Sequence, residues 1–247
     1  MKALDGATAV VTGGSRGIGR AIVQRLAADG AAVVFGYATD QARAEAVVDQ
    51  VRAGGGRVWA VRADLAEPAQ IEQLFATADE HLGDRLDVLV NNAAIPGLVA
   101  LTGATTTDFD HVFAVNTRAA FLAMQQAARR MSDGGRIVNI STVSTSWPGP
   151  GEALYAASKG ALEQLSRVAS REFGPRQITV NTVSPGTTDT DFLRENVSTE
   201  TRETVAHMTP LGRLGTPEDI AAVVAFLAGP DSAWVTGQNI RADGGLV

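Results

Sequence analysis

A glycine-rich turn near the amino terminus is the feature that most constrains the fold. Residues 7–12 are rich in β-forming side chains, and apolar residues recur at helical spacing through residues 18–28. Between them the chain reads Thr12-Gly13-Gly14-Ser15-Arg16-Gly17-Ile18-Gly19. A strand that passes through glycines into a helix offers backbone N–H groups and a favourable helix dipole to a pyrophosphate. A purely structural turn is the alternative, because the spacing differs from the common Gly-x-Gly-x-x-Gly pattern.

Strands and helices alternate along the rest of the chain. Alternation of this kind predicts a parallel sheet with helices on both faces. No repeat, linker or change of composition divides the sequence, so we expect one α/β domain over residues 1–247. The further predicted strands are residues 32–37, 57–61, 86–90, 136–140, 178–183 and 237–241, and the further helices are 40–53, 68–82, 105–131, 153–173 and 217–227.

The end of the second strand indicates which dinucleotide the turn would bind. An Asp or Glu usually follows this strand in NAD-binding folds and holds the ribose 2′-hydroxyl. Here Tyr37 is followed by Ala38 and Thr39, and the first acid is Asp40. The acid that would repel a 2′-phosphate is therefore missing, and Arg16 in the glycine turn can pair with such a phosphate. The sequence predicts NADP(H) rather than NAD(H); the alternative for Arg16 is a solvated loop arginine.

A second group of reactive side chains follows the proline- and glycine-rich residues 148–151, where a long helix begins. Tyr155 and Lys159 are four residues apart, so they share one helix face. A lysine ammonium near a phenol lowers the tyrosine pKa, which lets the tyrosine pass a proton near neutral pH. Alone, this pair is a weak signal, because an ordinary surface helix can carry it.

Polar residues also follow the third, fourth and fifth predicted strands. The carboxyl ends of parallel strands meet at the edge where α/β sheets bind ligands. Asp64 either accepts a hydrogen bond from an adenine amine or caps a turn, and Asn91-Asn92-Ala93-Ala94 either ties neighbouring strands together or is a plain turn. Asn116, among apolar residues, either serves the site or is a hydrogen-bonded core residue. Residues 141–146 supply several hydroxyl groups.

Composition excludes several functional classes. The net charge is -6 without any block of like charge, so neither nucleic acid nor a membrane surface is an expected partner. The absence of cysteine excludes disulfides and thiolate metal sites, and we predict no metal. No apolar run reaches the length of a membrane span, and residues 1–6 lack the apolar core of a signal peptide. We therefore expect a cytoplasmic protein.

Together these motifs resemble the classical short-chain dehydrogenases/reductases, and the subgroup most similar is the 3-oxoacyl-[acyl-carrier-protein] reductases. The resemblance extends from about residue 5 to the end of the chain. It implies a doubly wound, Rossmann-like fold with a seven-stranded parallel sheet in the order 3-2-1-4-5-6-7. The motifs that carry it are Thr12-Gly13-x-x-x-Gly17-x-Gly19, Asn91-Asn92-Ala93-Ala94, Asn116, the hydroxyl-rich loop, Tyr155-x-x-x-Lys159, Pro185-Gly186, residues 213–219 and Thr236-Gly237-Gln238.

The resemblance also implies a mechanism. A hydride would pass from the nicotinamide to a carbonyl carbon while Tyr155 donates a proton to the oxygen. Lys159 would lower the Tyr155 pKa and contact the nicotinamide ribose, and Asn116 would hold a water that links Lys159 to solvent. The family's polarising serine, thirteen residues before the tyrosine, is Thr142 here. Ser141 and Ser144 are the alternative donors, although alternation along a strand turns Ser141 the other way.

The expected site extends from the cofactor to the substrate. Substrate contacts would come from the loop carrying Trp147 and Glu152 and from residues 187–207, which form either a mobile flap or a surface insertion. Trp147 is otherwise a buried anchor or part of a subunit contact. The predicted cofactor-binding residues, besides Tyr155 and Lys159, are Gly13, Ser15, Arg16, Gly17, Ile18 and Gly19 at the phosphates, Tyr37 at the second strand end, Asp64 and Leu65 at the adenine, Asn91 and Ala93 at the ribose, and Pro185, Gly186, Thr188 and Thr190 at the carboxamide.

The expected activity is NADPH-dependent reduction of a small-molecule carbonyl, either a ketone or a 3-oxoacyl thioester. Its rival within enzymes is an NAD(P)-linked dehydrogenase of a sugar or steroid alcohol. From another class, the chain could be a cofactor-binding regulator or scaffold without chemistry. The family resemblance further implies a homotetramer assembled through the 105–131 and 153–173 helices and the C-terminal strand.

Overall fold

Seven parallel strands form the central sheet of the computed structural model, which describes residues 2–83 and 85–247. They lie side by side in the order β3-β2-β1-β4-β5-β6-β7. The predicted fold class and strand order are therefore confirmed, including the point between β1 and β4 at which the order of the parallel strands changes its sense. The strands are β1 (Thr8–Val11), β2 (Ala32–Tyr37), β3 (Arg57–Arg62), β4 (Leu86–Asn91), β5 (Met131–Ile140), β6 (Thr179–Pro185) and β7 (Asn239–Ala242).

Helices cover both faces of this sheet, and the sheet separates the apolar core into two clusters. Ala9 and Val11 of β1 point to the cluster that contains the helices at residues 17–28, 41–53 and 217–228. Val10 points to the cluster that contains the helices at residues 68–82, 119–130 and 153–173. Because both faces are buried, residues 9–11 of β1, 32–35 of β2 and 88–90 of β4 are continuously apolar and do not alternate with polar residues. The helices are α1 (Gly17–Ala28), α2 (Gln41–Ala53), α3 (Pro68–Leu82), α4 (Thr106–Phe113), α5 (Ala119–Arg130), α6 (Ala153–Phe173), α7 (Asp191–Asn196), α8 (Thr199–Met208) and α9 (Pro217–Ala228).

Residues 105–131, predicted as one helix, differ from that prediction in two ways. Helix α4 ends at Phe113, residues 114–118 form a π-helical turn, and α5 ends at Arg130. Met131 already pairs with Leu86, so β5 begins five residues before the predicted 136. The reason is a bulge: the register of β4 and β5 shifts between Leu86 and Val88, while residues 132–134 are exposed.

The carboxyl ends of the strands meet at one edge of the sheet, and this edge positions the candidate site. The glycine turn leaves β1 there, the Asn91 segment leaves β4, and the hydroxyl-rich loop leaves β5. Within residues 2–83 and 85–247, no helix combines the length and apolar character needed to cross a bilayer.

Candidate active site

The glycine turn between β1 and α1 is closely packed against its own backbone. Gly13 and Gly17 have φ angles of 69° and 52°, which favour glycine. A Cβ atom on Gly19 would lie 2.0 Å from the Gly13 carbonyl oxygen. Arg16 occupies the N-cap of α1, and its side chain caps no N–H group among the residues that the structure describes. The first N–H groups of α1 therefore suit an anion, as a pyrophosphate-binding turn requires.

Asn92 and Thr12 hold this turn against β4. The Asn92 Nδ2 atom donates to the carbonyl oxygens of Thr12 and Gly13, both at 3.0 Å. The Thr12 hydroxyl accepts from the backbone N–H groups of Asn92 and Ala93 at 3.0 and 3.1 Å. These bonds confirm that the Asn91–Ala94 segment ties strands together. Asn92 itself was not among the predicted site residues, because only the pairing of β1 with β4 reveals its partners.

The neighbouring Asn91 side chain enters the core instead. It donates to the Asn139 Oδ1 atom at 2.8 Å, and Asn139 donates to the Ser166 hydroxyl at 2.8 Å. The Asn91 Oδ1 atom is buried and has no hydrogen-bond partner within the described part of the chain. With Leu65, Ala93 and Asn116, Asn91 lines a cavity of about 10 Å³. A cavity of that size holds one water molecule and nothing larger.

The reactive side chains of α6 lie beside the end of β5. Lys159 is buried, and its ammonium donates to the Ile140 carbonyl oxygen at 2.7 Å. The Nζ atom lies 6.0 Å from the centroid of the Tyr155 ring. The Thr142 hydroxyl is close enough to the same phenol to lower its pKa through hydrogen bonding. The structure therefore brings three of the four predicted catalytic residues together at one strand end.

The charge balance of this group corrects one expectation. Burial raises the pKa of Tyr155; the Thr142 hydroxyl opposes that shift, and the Glu152 carboxylate adds to it. Burial also lowers the pKa of Lys159 to about 8. The prediction that Lys159 lowers the Tyr155 pKa is wrong for the chain by itself. Desolvation disfavours both charged forms, and the Lys159 ammonium, 6.0 Å from the ring and bonded to the Ile140 carbonyl, is not among the groups that shift the Tyr155 pKa.

The other hydroxyl groups of the loop after β5 divide between two roles. Ser141 donates to the Glu163 carboxylate at 2.7 Å, so its hydroxyl already has a partner on α6. Ser144 stays close to Thr142: its backbone N–H and its hydroxyl lie 3.2 and 3.3 Å from the Thr142 hydroxyl. Thr142 thus caps the short turn that carries Ser144. Trp147 on the same loop is 49% exposed, so it is not a buried anchor.

Asn116 lies in the π-helical turn, and its amide is fully engaged as a donor. The Nδ2 atom donates to the Ile95 carbonyl at 2.9 Å and to the Ser158 hydroxyl at 3.0 Å. The Oδ1 atom accepts from the Ile95 N–H group at 2.9 Å. Asn116 therefore holds the loop after β4 against α6, through Ile95 on the loop and Ser158, the residue before Lys159, on the helix. Its amide donors do not point to Lys159, which favours the core alternative for the side chain.

The loop after β6 approaches the glycine turn from the other side. A Cβ atom on Gly17 would lie 3.4 Å from the Thr190 side chain. Thr190 caps α7 by accepting from the Leu193 N–H group, and Thr188 donates to the Gly186 carbonyl at 2.9 Å. A Cβ atom on Gly186 would meet the Asp243 backbone at 2.8 Å. Residues 187–207 contain α7 and the first nine residues of α8, so the predicted flap is helical.

The residues predicted to lie near the adenine half of the cofactor differ from the prediction in two respects. Tyr37 is only 9% exposed and packs in the apolar cluster of α1, α2 and α9, so its side chain is not presented to a ligand. Asp64 accepts from the Ala66 N–H group at 2.9 Å, as the turn alternative predicts. Beside it lies a cavity of about 410 Å³ lined by Ala38, Thr39, Arg62, Asp64 and Gln70. Arg62 was missed, since only the pairing of β2 with β3 places it here.

Comparisons with known proteins agree with this geometry. The family model described as enoyl-(acyl carrier protein) reductase matches residues 13–247. An uncharacterized oxidoreductase of Methylorubrum extorquens is 45% identical over 248 residues, and the match covers 100% of both chains. A short-chain dehydrogenase/reductase from Serratia marcescens superposes with a TM-score of 0.94 at 45% identity, covering 99% of each chain.

A ketoreductase is also among the similar solved structures. The angucycline C-6 ketoreductase LanV, solved with bound NADP, has a TM-score of 0.93 and 42% identity. That match covers 99% of this chain and 96% of the ketoreductase. The family model, the sequence identities and the superpositions lead to one conclusion: this chain is a member of the short-chain dehydrogenase/reductase family and an oxidoreductase.

Proposed function

We propose that the protein reduces a carbonyl compound to an alcohol with NADPH, and that Tyr155 is the general acid. The observation that carries the proposal is the meeting of Tyr155, Thr142 and Lys159 at the carboxyl end of β5. The pyrophosphate-type turn lies at the same edge of the sheet. A proton donor next to a nucleotide-binding turn suits hydride transfer better than any non-catalytic role.

The residues of the turn fit a dinucleotide. A side chain at Gly13 or Gly19 would collide with the surrounding backbone, so the turn keeps its amide surface bare. Gly13, Ser15, Arg16, Gly17, Ile18 and Gly19 would hold the phosphates, and the backbone of Asn91 and Ala93 would lie near a ribose. Pro185, Gly186, Thr188 and Thr190 would hold the carboxamide. When bound, NADPH supplies the hydride; the related ketoreductase was solved with NADP.

The protein supplies the proton and the electrostatics. Because burial raises the Tyr155 pKa, the phenol keeps its proton at neutral pH and can donate it to the oxygen of a reduced carbonyl. The Thr142 hydroxyl would donate a hydrogen bond to the same oxygen and stabilise the charge that develops there. Lys159 would supply positive charge below its pKa of about 8. Asn116 would position α6 through Ser158, as a positioning residue.

A substrate panel with two cofactors tests the proposal. Ketones, diketones, acetoacetyl thioesters, sugars and steroids are each offered with NADPH and with NADH, and the Tyr155→Phe variant is the control. We expect at least one carbonyl class to be reduced with NADPH and the variant to lose at least about a hundredfold in kcat. Equal reduction by the variant would refute the role of Tyr155. NADPH binding without turnover of any class would favour a non-catalytic regulator.

We also propose that the protein is a homotetramer. Phe121 on α5 and Val168 on α6 are 41% and 55% exposed, and Trp234 before β7 is 98% exposed. Large apolar side chains that are exposed on a single chain often mark surfaces that another subunit covers. Light scattering should give about four times the 25.7 kDa chain mass. A monomer at micromolar concentration would contradict this proposal and leave the catalytic one standing.

A further inference from the structure

The cavity at the ends of β2 and β3 has the position and composition of a phosphate subsite. Tyr37 and Arg62 are register partners at the ends of these two strands. The residues that follow β2, Ala38 and Thr39, line the cavity together with Arg62, Asp64 and Gln70, and its volume is about 410 Å³. A cavity of this size accommodates a phosphate group with its bridging water molecules.

Arg62 has donors available in this cavity. Its Nε atom donates to the Ala38 carbonyl at 3.2 Å, which fixes the side chain across the β2 end. Among the described residues, Arg62 forms no ion pair with a carboxylate, and its side chain is exposed. A guanidinium carries five N–H donors in a fixed fork, so one bond to Ala38 leaves a pair for an anion.

The other nearby arginine is neutralised. Arg43 on α2 pairs with Asp40 at 3.1 Å and with Asp191 at 3.2 Å. Among the residues that the structure describes, Asp64 is the one carboxylate that lines the cavity, and one of its oxygens is engaged by the Ala66 N–H group. Arg62 is therefore the cation placed to act in this cavity. Arg16 lies at the N-cap of α1, outside the residues that line it.

We propose that Arg62 binds the 2′-phosphate of NADP(H) and is a determinant of cofactor specificity in this protein. The inference rests on the proposed use of NADPH and goes beyond it, because it assigns the phosphate contact to the end of β3. The Ala38 carbonyl orients the fork, and the free N–H groups form charge-assisted bonds with a dianionic phosphate. Together with the missing acid after β2, this contact would favour NADP(H) over NAD(H).

Calorimetric titration of the full chain with two cofactor fragments tests the assignment. The probes are 2′,5′-ADP and 5′-AMP, which differ only in the 2′-phosphate. The variant is Arg62→Gln, and the matched control is Arg57→Gln, an exposed arginine at the opposite end of the same strand. We expect Arg62→Gln to weaken the binding of 2′,5′-ADP by about tenfold or more and to leave the affinity for 5′-AMP unchanged. The control should change neither affinity.

Three results would overturn the proposal. An equal loss of affinity for both fragments would mean that Arg62 contacts the adenine or only shapes the turn. Unchanged affinities would leave NADPH use intact and assign the 2′-phosphate elsewhere, with Arg16→Gln as the next variant. A wild-type chain that binds both fragments equally would contradict the NADP preference itself. Thermal unfolding of each variant shows whether a loss of affinity follows a loss of fold.

Discussion

Gly19 provides the sharpest test of how the turn is built. In a Gly19→Ala variant, the added methyl group would lie 2.0 Å from the Gly13 oxygen and 2.4 Å from the Asn92 Nδ2 atom. Carbon and oxygen normally approach to about 3.3 Å, so the carbonyl or the start of α1 must move by about 1 Å. That movement also breaks the 3.0 Å hydrogen bond from Asn92 to Gly13.

The cost follows from these contacts. Overpacking a closely packed site costs about 1–3 kcal/mol, and a buried polar group left unpaired costs about 1–3 kcal/mol. Replacing glycine by alanine by itself raises the free energy of unfolding by about 0.4–1 kcal/mol, because alanine lowers the conformational entropy of the unfolded chain. We therefore expect Gly19→Ala to lower the free energy of unfolding by about 1–5 kcal/mol. Since the displaced N–H groups are those that would face a pyrophosphate, NADPH should bind at least about tenfold more weakly.

Urea unfolding and NADPH fluorescence titration measure the two effects. The matched control is Gly160→Ala within α6, where an added Cβ meets no atom within 4 Å among the described residues. Replacement of a helix-interior glycine of this kind by alanine should raise the free energy of unfolding by about 0.5–1 kcal/mol. The reasoning is refuted if Gly19→Ala unfolds within about 0.5 kcal/mol of the wild type and binds NADPH with unchanged affinity.

The remaining predictions concern the catalytic group. Thr142→Val should lower kcat by about a hundredfold, while Thr142→Ser should stay within about tenfold, because only the hydroxyl stabilises the reacting oxygen; equal kcat values for the two variants would contradict this. Glu152→Gln removes a charge that raises the Tyr155 pKa, so kcat/KM for reduction should begin to decline at lower pH, since the phenol must be protonated. Burial lowers the Lys159 pKa from 10.5 to about 8, so between these values the unfolded chain holds a proton that the folded chain has released. The free energy of unfolding should therefore rise with pH across that window, by at most about 3 kcal/mol, and Lys159→Met should remove the rise.

Local chemistry was readable from the sequence wherever it depends on residues close together in the chain. The glycine turn was predictable because a positive φ angle and a bare amide surface need glycine at fixed positions. Tyr155 and Lys159 were placed on one face by helix geometry alone. The π-helical turn at Asn116 was not predicted, since one such turn of five residues is too short to change the apolar pattern of the helices on either side. Its partners, Ile95 and Ser158, come from two other segments.

The sequence by itself therefore determined the alternation of strands and helices, the strand order through family resemblance, and the identity of the reactive groups. Tertiary structure decided what those groups experience. Burial raises the Tyr155 pKa, and the neighbouring strand β3 brings Arg62 to the end of β2. Likewise, strand pairing makes Asn92, and not Asn91, the residue that holds the glycine turn. Desolvation and contacts across strands depend on which distant residues meet, and no local pattern of residues encodes that.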